Sequence, residues 1–190
     1  MTDYFALLQQ PRQPWLEPEQ LKQKYQQLTL AAHPDRTRSN DPGLDFATIT
    51  EGYRVLRDHK LRLQHLLKLE GYEVSGGQSV PDEFIEIFSQ IGVLVRTSDN
   101  LLERSANAQN ALSKSLLRSE ILDGQRQTQE ALTKLERLQE DILGEMRSLN
   151  ETWTNESATA LPKLSDLQQR LAYLARWIDQ VRERQFRLSN

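Results

Sequence analysis

Cysteine is absent from the 190 residues. That excludes a disulfide framework, a thiolate zinc site and a cysteine nucleophile. Long apolar runs are absent as well. No stretch approaches the ~20 apolar residues that cross a bilayer as a helix. The opening M-T-D-Y-F-A-L-L-Q-Q has no basic n-region, so it does not read as a signal peptide. No charge of one sign dominates: 24 Lys and Arg stand against 27 Asp and Glu, a net charge of −3, and a broad nucleic-acid surface is not indicated. Only three histidines occur. His33, His59 and His65 fall on different expected elements, and none is paired at metal-ligand spacing, so neither a metal site nor a cofactor is expected. No serine-nucleophile pattern flanks them. Composition points to a soluble, cytoplasmic protein, and a chain of this length buries roughly 70% of its unfolded surface without covalent or metal staples.

Glycine and proline are unevenly spread. They punctuate the first half, and V-S-G-G-Q-S-V-P at 74–81 reads as a flexible linker. Beyond it only Gly92, Gly124, Gly144 and Pro162 interrupt. Charge also shifts across this boundary, from +1 over residues 1–72 to −4 over 73–190. The expected organisation is a domain at 1–73, a linker at 74–81 and a second domain at 82–190.

Apolar spacing assigns both parts to helices. In the first part, Asp3 to Gln10 is a short opening helix. Pro18 to about Ala32 follows, with its buried stripe at Leu21, Tyr25, Leu28 and Ala32. After a polar loop at 33–43, Phe46, Ile49, Tyr53 and Leu56 mark a third helix. A fourth carries Leu61, Leu63, Leu66, Leu67 and Leu69 and stops at Gly71. In the second part Phe84, Ile87, Phe88, Ile91 and Val95 start a helix whose stripe is expected to run on through Leu101, Ala108, Leu112 and Leu116. Two more show a sustained 4-3 alternation: Thr128 to Trp153, and Leu164 to Leu188. A short polar break at Asn155 to Pro162 makes them antiparallel neighbours. Trp153 and Trp177 fall near the seams and are expected to pack.

The stretch A-A-H-P-D-R-T-R-S-N, from Ala31 to Asn40, carries the most information. Lys22, Gln26, Thr29 and His33 form one stripe beside the buried one, so His33 stands at the end of an exposed helix face. Pro34 has no N–H and disfavours the helical region for the residue before it, so the helix ends there. Asp35 then presents an acceptor on a stiff turn, suited to a bidentate arginine of a partner. A bare helix stop is the bland reading of these three residues.

The flanks carry a resemblance. H-P-D between two antiparallel helices, preceded by D-Y-F and L-K-Q-K-Y-Q-Q-L and followed by F-A-T-I-T-E-G-Y-R-V-L-R-D, resembles the J domain over about 70 residues. R-L-Q-H-L-L-K-L-E-G, Arg62 to Gly71, is similar to the corresponding segment of HscB-type J proteins. The J-domain resemblance implies a co-chaperone, not an enzyme, that docks on a DnaK-class ATPase through Lys22, Lys24, Gln26, His33, Pro34, Asp35 and Arg36. The narrower resemblance implies an iron–sulfur scaffold protein as client. Its contact would lie in P-D-E-F-I-E-I-F-S-Q-I-G, through Phe84, Ile87, Phe88 and Ile91. A stripe of that kind ordinarily faces the fold's own core.

The chain also departs from the family. Gln26 and Gln27 stand where basic residues are common, and Ala31-Ala32 replaces the usual basic–aromatic pair. Asp58-His59 replaces a frequent Asp-Pro, and His65 stands where tyrosine is common. Weaker steering toward an acidic chaperone surface follows, or a specialised partner. The expected architecture is all-α: a four-helix J domain with an antiparallel hairpin, then a helical hairpin or three-helix bundle. Two other readings stay open: a general J-domain co-chaperone whose C-terminal helices self-associate or bind another partner, and a J-like adaptor that no longer stimulates an ATPase.

Overall fold

Asp3 opens the first helix. Its carboxylate accepts the backbone N–H groups of Phe5 and Ala6 and pairs with Arg12 at 2.7 Å, so one side chain caps α1 (Tyr4–Leu7) and ties down the loop after it. The structure is a computed structural model that describes residues 1–32, 45–72, 81 and 84–190, without the side chains of 154–158. Pro18 starts α2 (Pro18–Ala31), where its missing N–H costs nothing. Asp45 caps α3 (Phe46–Arg57) and Asp58 caps α4 (His59–Leu69). Gly71 then closes α4. Its φ of +67° lets the Tyr72 N–H reach the Leu67 carbonyl and the Gly71 N–H reach that of Lys68, the paired bonds of a Schellman ending. The remaining helices are α5 (Ile85–Asn107) and α6 (Ala111–Ser189). Among the described residues every regular element is a helix, as the sequence pattern requires.

A straight helix as long as α6 would place its ends about 120 Å apart. Instead the Gln125 side chain donates to the Leu188 carbonyl at 2.7 Å, and Arg182 pairs with Glu136 at 2.8 Å. Helical backbone is assigned across the whole span, including Pro162, yet its two legs lie antiparallel. The expected antiparallel pairing of the two legs is thus present, with the chain reversing between Glu136 and Arg182.

Contacts divide the chain into two compact units. The first contains 1–75 and 143–169, the second 76–142 and 170–190. The linker at 74–81 lies outside the described residues, apart from Pro81.

In the first unit, α3 is the central element and packs on α1, α2 and α4. Phe5, Leu8, Leu21, Ile49, Leu56, Leu63, Leu66 and Leu67 are buried together in this core. Phe46, expected in the stripe of α3, is instead half exposed, because it stands on the first turn, ahead of the buried Ile49, Val55 and Leu56. Gly52 is where α1 crosses α3. A Cβ there would sit 3.1 Å from Tyr4 Cδ1 and 3.4 Å from Leu7 Cδ2. The segment 143–169 completes this unit. The Trp153 indole N–H donates to the Arg12 carbonyl at 2.7 Å, the Trp15 N–H donates to Asn150 Oδ1 at 2.9 Å, and the Arg147 guanidinium lies 4.3 Å from the Trp15 ring centre.

The second unit is a three-helix bundle. Arg104 pairs with Glu120 and Lys134 with Gln90, so α5 runs antiparallel to the first leg of α6. Asp99 pairs with Arg184, and Phe84 and Phe88 both meet Trp177, so α5 runs parallel to the second leg. The heptad positions Leu132, Leu135, Ile142, Leu171, Leu174, Ile178 and Val181 are buried. The stripe of α5 does not continue as expected. The helix ends at Asn107, and Leu112 and Leu116 stand exposed on the first turns of α6, because the chain reverses at 108–110 and presents a new face.

Candidate functional site

α2 reaches the surface on one side only. Leu21 is buried, and the Tyr25 ring stacks on Tyr53 of α3 with centres 4.1 Å apart. The partners Tyr25 with Tyr53, and Leu21 and Lys22 with Arg57 around one cavity, make α2 and α3 antiparallel. Pinning this face leaves Lys22 and Gln26 exposed on the other. They are four residues apart and so share a face. Leu30, four residues further, extends the same stripe and is 61% exposed. Lys24 does not join it. It lies about 200° around the helix from Lys22 and is half-buried. The Thr29 hydroxyl turns back to donate to the carbonyls of Tyr25 and Gln26, and so is spent within the helix.

The stripe leads into the H-P-D segment. His33, Pro34, Asp35 and Arg36 lie outside the described residues. The helices on either side of them end in large exposed apolar side chains, Leu30 on α2 and Phe46 on α3. Sequence reasoning missed Leu30 because it sits off the buried stripe. It placed Phe46 in the core because the 3-4-3 spacing admits it.

The α5 candidates separate by face. Phe84, Ile87 and Ile91 are buried, whereas Phe88 is 52% exposed and touches Trp177 with one edge. Ile85 and Val93 share the outer side with Phe88, and Glu86 and Gln90 are bonded to each other beside them at 2.9 Å. The outward surface of α5 is thus apolar with an acidic margin.

α4 carries two polar residues into the core. His65 is buried, and its Nε2 accepts the Tyr4 N–H at 3.1 Å while its ring lies against Tyr4 and Phe5. That bond requires an unprotonated Nε2. Burial pushes the His65 pKa below its ordinary value, against the opposing pull of Asp3. Arg62 is also buried. It donates to the Pro14 and Leu56 carbonyls, both at 2.8 Å, and to His59 Nδ1 at 2.7 Å. Its partners include no carboxylate, and burial pulls its pKa down to about 10. The burial of His65 and Arg62 is not visible in the local sequence, because the Tyr4 N–H and the Pro14 carbonyl that they meet lie 61 and 48 positions away.

Among the described residues, no group of three or more His, Asp or Glu is placed to hold a metal ion, and no helix is long and apolar enough to cross a membrane.

Comparison with known proteins agrees with this geometry. The DnaJ domain family matches residues 3–65, which cover α1 to α3, the intervening H-P-D segment and the larger part of α4. The co-chaperone protein HscB of Proteus mirabilis is 27% identical over 117 residues, which span 58% of this chain and 66% of that protein. The solved chaperone HscB from Vibrio cholerae superposes with a TM-score of 0.59 at 20% identity, covering 96% of both chains. Human co-chaperone HscB superposes with a TM-score of 0.56 at 16% identity, covering 96% of this chain and 81% of that one. At these identities the solved structures speak for a shared fold from end to end. Residues 3–65 thus match the DnaJ domain family, and the chain is similar to co-chaperone proteins of the HscB type.

Proposed function

We propose that this protein docks on a DnaK-class chaperone through the exposed face of α2 and the H-P-D tip, and stimulates the chaperone's ATP hydrolysis. The observation that carries the reading is the stripe Lys22, Gln26 and Leu30, which leads directly into His33-Pro34-Asp35 inside a matched DnaJ domain. The protein supplies no reacting group. It acts by binding one chaperone conformation better than another, which shifts the population toward the hydrolysis-competent state. Lys22 and Arg36 supply charge attraction to an acidic surface. Leu30 and Phe46 add apolar contact where other J domains rely on further basic residues. Gln26 hydrogen-bonds without charge, so association is less salt-dependent than for a basic α2.

The second unit selects the client. The outward face of α5, with Ile85, Phe88 and Val93 beside Glu86, is an apolar surface of the kind that meets a protein partner. The HscB resemblance supports an iron–sulfur scaffold protein as the client. Phe84, Ile87 and Ile91 support that face from within.

The test is His33→Gln. Stimulation of a DnaK-class ATPase is expected to disappear while the melting temperature is unchanged. Stimulation that survives the substitution removes the mechanism. Phe88→Ala is the parallel test for the client, with scaffold binding as the readout and stimulation without scaffold unchanged.

A further inference from the structure

A cavity of about 390 Å3 opens at the base of α2. Leu16, Leu21 and Tyr53 wall it, and Lys22, Arg57 and Arg62 bring charge to it. Glu19 is the one carboxylate in its lining, which leaves a net charge of +2. His59, also at the rim, is neutral. An arginine N–H can only donate, so the 2.7 Å bond from Arg62 requires an unprotonated Nδ1.

Arg62 is the unusual member. A guanidinium is rarely buried without a carboxylate, because the desolvated charge needs a counter-charge. Here its acceptors are two carbonyls and an imidazole. Asp58, the charge that acts on it, is already engaged in capping α4 through the Leu61 N–H. A guanidinium has five N–H donors, and three are used by these bonds. Two donors remain on a buried cation that lines a cavity. Lys22 and Arg57 open onto the same space, and among the described residues neither is held in an ion pair. Three cations are held near one another with little to balance them.

We propose that this cavity binds a small phosphate monoester. The dianionic phosphoryl group matches the net charge. It has enough oxygen acceptors for Lys22, Arg57 and the two spare donors of Arg62. The cavity exceeds the volume of a bare phosphate ion and falls in the size range of small-ligand sites. Leu16, Leu21 and Tyr53 therefore face the organic part. Lys22 also belongs to the stripe assigned to chaperone docking, so an occupied cavity withdraws one cation from that face. The binding itself stands apart from the docking reading and is measured without the chaperone.

The experiment titrates the full chain with phenyl phosphate and with inorganic phosphate. Calorimetry reads the affinity, and the Arg62 side-chain Nε–H resonance reports the site. Phenyl phosphate is expected to saturate, to shift that resonance, and to bind tighter than inorganic phosphate. Lys22→Gln and Arg57→Gln are each expected to weaken it about tenfold, the loss of one charge-assisted hydrogen bond. Both leave the buried Arg62 in place, so the fold is kept. Glu19→Gln removes the repelling carboxylate and is expected to tighten binding, and Arg126→Gln, outside this cavity, is expected to leave it unchanged. Absence of saturable binding overturns the proposal. So does equal affinity in Arg57→Gln, or an Arg62 resonance that does not move. Inorganic phosphate binding as tightly as phenyl phosphate overturns the assignment to a monoester.

Discussion

Trp153→Phe tests whether the segment 143–169 is a working part of the J-domain unit. The side chain is 7% exposed, and its indole N–H donates to the Arg12 carbonyl at 2.7 Å. Phenylalanine keeps an aromatic ring in place but removes the donor. The Arg12 carbonyl is left without this partner, a loss of about 1–2 kcal/mol. The smaller ring leaves a void that adds about 1 kcal/mol. Arg12 also holds Asp3, the cap of α1, so loosening its backbone loosens that pairing as well. The total is about 2–3 kcal/mol, which in a chain of this size lowers the melting temperature by about 5–10 °C. Urea unfolding of the full chain, followed by far-ultraviolet circular dichroism, measures the energy. Hydrogen exchange at the Trp15 amide, which is bonded to Asn150, reports the site. Exchange there is expected to accelerate, while exchange in the bundle around Leu135 and Leu174 is not. A loss below about 0.5 kcal/mol with Trp15 exchange unchanged refutes the reasoning, because that is the range of an unremarkable surface substitution.

Acidification acts through His65. Its folded pKa is lowered, first by burial, so the unfolded chain takes up a proton near pH 6.5 while the folded chain resists it. The stability that follows is complete above the unfolded pKa and is lost as pH falls toward the folded one, and urea midpoints measured from about pH 7.5 to about pH 5 are expected to decline. His65→Gln, which keeps an acceptor for the Tyr4 N–H, is expected to flatten that decline. Gly52→Ala sets a methyl 3.1 Å from Tyr4 Cδ1. Overpacking of about 1–3 kcal/mol is expected to outweigh the roughly 1 kcal/mol gained in helix propensity, and thermal unfolding checks the sign.

Periodic features of this chain were legible in its sequence. Leu164, Leu167, Leu171, Leu174, Ile178 and Val181 repeat at the helical period, and all six are buried. The J-domain helices were legible for the same reason, with an ordered set of local motifs added. What escaped depends on partners distant in sequence. Trp15 and Asn150 are 135 positions apart, and His65 and Tyr4 are 61 apart. A local period contains no information about either. Phe88 and Phe46 show the opposite failure. Each fits an apolar spacing, yet each is half exposed, because spacing allows a stripe wider than the surface that packs against it. The end of α5 at Asn107 escaped because no proline or glycine marks it. The cluster of Lys22, Arg57 and Arg62 escaped because three separate elements build it.

The interleaving of the two units bears on synthesis. A ribosome makes α1 to α4 early, but the segment that receives Trp15 and Arg12 begins at residue 143 and ends at 169. The J-domain helices emerge with Trp15 uncovered and wait while the α5 region and the first leg of α6 are added. Folding in order of emergence, domain by domain, is then not open to this chain. The late segment must find a surface formed much earlier, a long loop closure that slows the last step. During that interval Trp15 lacks the cover that Arg147 and Asn150 give it in the finished molecule.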